Sequence, residues 1–142
     1  MITLSNEDKK RLQRLGVETV YLFGSRASGI AREDSDYDIG VVFRDGVRTE
    51  KDAASLHGQL YNIFSNYVQD VPSGARPDIA LLQNANGSLQ MSAVAEGVVL
   101  FEADPVARAN YEEGVIAIYD DYRPLRRMYE EATTVAFLLS PT

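Results

Sequence analysis

The sequence predicts a small α/β (α+β) fold, a mixed sheet of about four strands with flanking helices. Three observations carry this. Short β-branched and aromatic runs alternate with stretches of helical periodicity. Gly, Pro and Asp punctuate the junctions between them. The chain has 142 residues, 45% of them apolar, which suffices to bury one sizeable core.

Each element follows from its local signals. Ser5-Asn6-Glu7-Asp8 reads as a helix start, with Ser5 as cap and Asp8 reaching back. That helix runs to about Leu15, and Gly16 ends it. Glu18 to Phe23 is the first strand; Gly24 to Arg32 is a turn followed by one or two helical turns. Asp36 to Phe43 is the second strand, with Gly46 in the turn beyond it. From Thr49 to about Tyr67, residues Ala53, Leu56, Leu60, Ile63, Phe64 and Tyr67 recur at helical spacing. Pro72, Ser73, Gly74 and Pro77 mark a loop, and Asp78 to Leu82 forms the third strand. Ser88 is expected to cap a helix ending at Glu96-Gly97, and Val98 to Phe101 is a short fourth strand. Asp104-Pro105 opens a long helix, with Asp as cap and Pro at the first helical position. Pro124 should break it near Tyr122 or Arg123, and a last helix should run to Leu139. One domain is expected over 1–142, a core of about 1–103 and a helical segment of about 104–142.

Composition narrows the function. There is no cysteine, hence no disulfide framework and no thiolate metal site. A net charge of −7 argues against a surface that tracks nucleic acid. No apolar run is long enough to span a membrane, and Met1 to Lys10 is too polar for a signal peptide. The cytoplasm is the expected compartment.

The chemistry concentrates in one stretch. Gly24-Ser25 is followed, after ten residues, by Asp36-Tyr37-Asp38. A Gly-Ser turn at a strand end brings bare backbone N–H groups against a phosphate. Aspartates at i and i+2 on a strand share one face and grip a divalent metal together. If the first two strands pair antiparallel, cradle and carboxylates meet at one edge. The plainer reading is an Asp-rich turn entering a strand. Two-metal phosphoryl transfer also wants a third carboxylate. Asp78, opening the third strand, is the candidate; a turn-forming Asp is its alternative. Glu33 and Asp34 read as solvated loop charges. Arg26 and Arg32 lie where a guanidinium would clamp a triphosphate oxygen, a surface helix arginine being the plainer reading of each. His57, the single histidine, reads as structural. Tyr111, Tyr119, Tyr122 and Tyr129 read as core or interface residues. Arg123, Arg126 and Arg127 beside Glu130 and Glu131 read as a salt-bridged helix face.

With Phe23-Gly24-Ser25-Arg26-Ala27-Ser28-Gly29 and Asp34-Ser35-Asp36-Tyr37-Asp38-Ile39, the chain resembles the minimal nucleotidyltransferases of the DNA-polymerase-β-like superfamily. Pro77 to Leu82 and Ala95 to Phe101 look like that family's third- and fourth-strand regions. Tyr119 to Arg127 resembles the ending of its bacterial antitoxin members. The resemblance implies two Mg²⁺ ions and ATP as donor. It implies Gly24 and Ser25 at the triphosphate, and Asp36, Asp38 and Asp78 as metal ligands. For the antitoxin branch it implies a HEPN-domain ribonuclease toxin as partner, silenced by adenylylation of a tyrosine. Ser28 stands where many relatives carry a larger or basic residue, which bears on substrate contacts. Two alternatives stay open at this stage. One is nucleotidyl transfer to a small cationic molecule such as an aminoglycoside, attracted by an acidic cleft. The other is an antitoxin that neutralises by binding alone.

Overall fold

The computed structural model describes residues 2–30, 35–68 and 74–121, together with 127, 128 and 131. The elements run α1 (Asn6–Arg14), β1 (Val17–Phe23), α2 (Ser25–Ser28), β2 (Tyr37–Phe43), α3 (Ala53–Ser65), β3 (Pro77–Leu81), α4 (Gly87–Glu96), β4 (Val98–Glu102) and α5 (Pro105–Asp121). A 3₁₀ turn over Leu82–Asn84 follows β3. The strands form one sheet in the order β3-β2-β1-β4. β1 pairs antiparallel with both β2 and β4, whereas β2 and β3 run parallel, joined through α3.

Side-chain alternation sends each strand's apolar residues to two cores. On one face Val20 and Leu22 of β1, Ile39, Val41 and Phe43 of β2, and Ile79 and Leu81 of β3 pack against Leu12 of α1 and Leu56, Leu60, Ile63 and Phe64 of α3. On the other, Tyr21, Phe23, Val42 and Leu82 pack with Ala93 of α4, flanked by Leu89 and Tyr111. Burying a side chain of this size contributes about 1.5–3 kcal/mol. The first face therefore supplies most of the cohesion. The second is held partly by polar links. Tyr21, buried in the sheet, donates its hydroxyl to Glu112 at 2.8 Å, and Arg108 bridges Glu112 at 3.1 Å and Glu102 at 3.4 Å. Burial, then Glu112, pushes the Tyr21 hydroxyl well above its ordinary range, so it remains a donor.

Most boundaries follow the sequence signals. Ser5 Oγ accepts the Asp8 N–H, and Asp104 Oδ1 accepts the Val106 N–H. Gly16 turns the chain at φ +85°. β1, β2 and β4 each shift by one residue at one end, starting at Val17 and Tyr37 and ending at Glu102, and three further boundaries differ for reasons visible in the contacts. α3 starts at Ala53 rather than Thr49, because Thr49 is tied to Asn84. The Thr49 hydroxyl meets Asn84 Oδ1 at 2.9 Å, and Asn84 Nδ2 donates to the Thr49 carbonyl at 3.0 Å. The cap of α4 is Asn86, whose side chain accepts the Leu89 N–H at 2.8 Å, so the helix begins before Ser88. β3 spans Pro77–Leu81, and Leu82 leaves the strand to pack over Gly40. The break at Pro124 and most of the expected last helix lie outside the described residues; Arg127, Met128 and Glu131 are helical.

Candidate active site

Register assembles the site. Phe23 of β1 stands opposite Asp38 of β2, and Asp38 stands opposite Asp78 of β3. The end of β1 and the starts of β2 and β3 thus form one row across the sheet. Antiparallel pairing of β1 with β2, the condition the sequence left open, brings Gly24 beside the carboxylates. Parallel pairing of β2 with β3 adds Asp78. Asp36 and Asp38 share the parity of Val42, and Asp78 that of Ala80, both residues of the α4/α5 face. Asp38 and Asp78 therefore project from that face at the sheet edge, and Asp36, just ahead of β2, lies near enough for its charge to act on Asp38.

Gly24 is required there for two reasons. Its φ is +70°, in the region L side chains rarely adopt. A Cβ would also run into the Asp38 carboxylate, with Asp38 Cγ at 3.1 Å. The turn can thus lie directly against Asp38 only because it carries no side chain. Ser25 follows at the start of α2, half-exposed, and its carbonyl accepts the Ser28 hydroxyl at 3.2 Å. The first turn of a helix leaves N–H groups without intrahelical acceptors, which suits an anion at that end.

The electrostatics match a cation-binding edge. Burial pushes the half-buried Asp38 carboxyl above its usual range, and the charges of Asp78 and Asp36 and a hydrogen bond with Asp78 push it further. Asp38 thus carries two like charges near it, and a divalent cation relieves such repulsion. Oxygen-only donors suit a hard ion such as Mg²⁺. Donor set and glycine cradle both fit such an ion with a phosphate beside it. Among the described residues, no three His, Cys, Asp or Glu side chains are grouped as a ready-made metal cage.

Backbone contacts fix Asp36 and the entry to β2. The Arg76 N–H donates to Asp36 Oδ1 at 3.1 Å, and the Tyr37 N–H donates to the Arg76 carbonyl at 2.9 Å. The segment leading into β3 therefore pins the residue before β2. Arg76 had no signal in the sequence, since it acts through its main chain. Arg26, a candidate triphosphate clamp from the sequence, makes contacts within the chain. Its guanidinium donates to the Ser35 carbonyl from Nε at 3.1 Å and from Nη2 at 2.8 Å. It also lies over the Tyr37 ring, 4.3 Å from the centroid. Arg32, Glu33 and Asp34 lie outside the described residues. His57 is exposed on α3, and Tyr111 flanks the second core. Tyr119 is half-buried on α5, while Tyr122 and Tyr129 lie outside the described residues.

Comparison with known proteins bears on this geometry. The polymerase β nucleotidyltransferase family model matches residues 6–106. Curated proteins give no match. Among solved structures, a chain of a toxin–antitoxin complex with AMP-PNP superposes with a TM-score of 0.69 at 21% identity, over 92% of this chain and 99% of that one. A chain of a MntA–HepT toxin–antitoxin complex gives a TM-score of 0.61 at 16% identity, over 92% and 99% of the two chains. A chain from the complex of tri-AMPylated Shewanella oneidensis HEPN toxin with its MNT antitoxin gives a TM-score of 0.61 at 16% identity, over 90% and 97%. At such identities the likeness is one of fold. The family model covers well over half of the chain, including Gly24, Ser25 and all three aspartates, and the chain belongs to the polymerase β nucleotidyltransferase family.

Proposed function

We propose that this chain is the antitoxin of a toxin–antitoxin pair and transfers AMP from ATP to a tyrosine of a HEPN-domain toxin. The observation that carries the chemistry is the row Phe23–Asp38–Asp78, with Gly24 lying against the Asp38 carboxylate. The choice of acceptor is supported by the structural neighbours. They match nearly all of this chain, the segment after β4 included, and come from toxin–antitoxin complexes, one with AMP-PNP and one with an AMPylated HEPN toxin.

In this reading Asp36, Asp38 and Asp78 would hold two Mg²⁺ ions. When bound, they would neutralise charge on the phosphates and sharpen the attacking hydroxyl. The Gly24-Ser25 turn would orient the β- and γ-phosphates, and the missing side chain at Gly24 lets that turn lie against Asp38. The tyrosine oxygen attacks the α-phosphorus in line, a new O–P bond forms, and pyrophosphate leaves. Asp78, exposed near the start of β3, would help draw off the hydroxyl proton. Arg76 holds Asp36 by its main-chain N–H, so the carboxylate pair need not be ordered at the moment of reaction.

Incubation with α-labelled ATP, Mg²⁺ and the neighbour-encoded HEPN protein should label that protein and leave aminoglycosides unlabelled. Label on aminoglycosides alone would reverse the choice of acceptor. A toxin neutralised equally well by Asp36→Ala/Asp38→Ala would point to binding alone.

A further inference from the structure

We infer that Arg26 is a positioning residue that sets the Asp36/Asp38 pair from behind, not a phosphate clamp. The inference rests on the nucleotidyl-transfer reading of the site. Its basis is which face of β2 the guanidinium occupies. Tyr37 lies between the two aspartates, so strand alternation turns its ring to the opposite face. That ring packs against the first core, as does Ala27 beside Arg26. The Arg26 guanidinium lies over that ring, 4.3 Å from its centroid, and so goes with the Tyr37 face of β2, opposite the one alternation gives to Asp38.

The same group grips the chain on the other side of Asp36. Nε and Nη2 both donate to the Ser35 carbonyl, at 3.1 and 2.8 Å. One planar cation thus fixes the residue before Asp36 by hydrogen bonds and the residue after it by stacking. With the Arg76 main chain holding Asp36 Oδ1 and the Tyr37 N–H, the entry to β2 is tied from both sides. Arg26 is two residues from Gly24, so the cradle and the carboxylate pair are coupled through one side chain. A lysine retains the charge but has no planar fork to reach a carbonyl while stacking on a ring.

The test is direct cation binding by the isolated chain, with Mn²⁺ as probe, alongside transfer kinetics. The variants are Arg26→Lys, Arg26→Gln and Tyr37→Leu, with thermal melts confirming that each is folded. Tyr37→Leu leaves Arg26 in place and removes its stacking partner. All three should lower Mn²⁺ affinity by roughly tenfold, the scale for losing a group that orients a metal ligand. At saturating cation, kcat should fall while KM for ATP stays within about twofold, since no nucleotide contact is lost. Arg26→Lys that binds Mn²⁺ and turns over like wild type would overturn the inference. So would Arg26→Gln that raises KM for ATP with Mn²⁺ affinity unchanged. Arg26-dependent Mn²⁺ binding without any nucleotidyl transfer would sink the proposed function and leave the inference standing. Transfer with no dependence on Arg26 would do the reverse.

Discussion

The two faces of β2 do different jobs with alternate residues of one strand. Tyr37, Ile39, Val41 and Phe43 face the α1/α3 core, and the last three are buried. On the other face, Asp36 and Asp38 give way to Gly40 and then Val42. The first face gains free energy from burial. The second gathers like charges at its open end, which disfavours the folded chain until a cation arrives. A self-repelling edge persists because the surrounding packing over-determines it. Gly40 makes the same point in reverse, since Leu82 fills the space a Cβ would need, with Cδ2 and Cγ at 3.1 Å from it.

Substitutions on the two faces should therefore separate stability from chemistry. The largest loss of stability is expected from Ile39→Ala, which removes a fully buried side chain. It should cost about 2–5 kcal/mol in denaturant unfolding, without altering the site in the molecules that stay folded. Asp38→Asn should do the opposite. Transfer should fall by at least roughly a hundredfold, the scale for losing one preorganised electrostatic group. The cation-free chain should melt no lower than wild type, because a repelled charge is gone. A lower melting temperature would show that Asp38 stabilises the fold.

Gly24→Ala should damage both properties, since it strains the backbone and strikes Asp38. A stability loss of about 1–3 kcal/mol, with lost transfer, is expected. Acid titration sharpens the contrast. The folded-state Asp38 carboxyl titrates above its unfolded value, so the folded chain holds the extra proton. Its stabilising share is full below the unfolded value and is lost as pH rises through the raised one. Cation-free stability of wild type should thus decline across that window relative to Asp38→Asn. Parallel curves would contradict it. Tyr21→Phe, on the α4/α5 face, should have the smallest effect, about 1 kcal/mol, since Glu112 keeps Arg108.

Much of the site was legible because its signals are local. A Gly-Ser turn ending one strand and Asp-x-Asp opening the next need only antiparallel pairing to meet, and the pairing is there. Asp78 was legible only as the opening residue of a strand; what makes it a neighbour of Asp38 is a parallel pairing between segments forty residues apart. Thr49 carried helical spacing but is held by Asn84, a contact no local pattern encodes. Ser88 and Asn86 are both good caps, and the chain uses the earlier one. Arg26 shows the limit most plainly. Its sequence position marks it as close to the site, yet which face its guanidinium takes depends on Ser35 and Tyr37.

The most direct measurement is the intact mass of the neighbour-encoded partner, co-expressed with wild type and with Asp36→Ala/Asp38→Ala. A mass gain of one or more AMP units with wild type alone is the expected result. An unmodified partner that is still neutralised by both would contradict transfer as the means of silencing it.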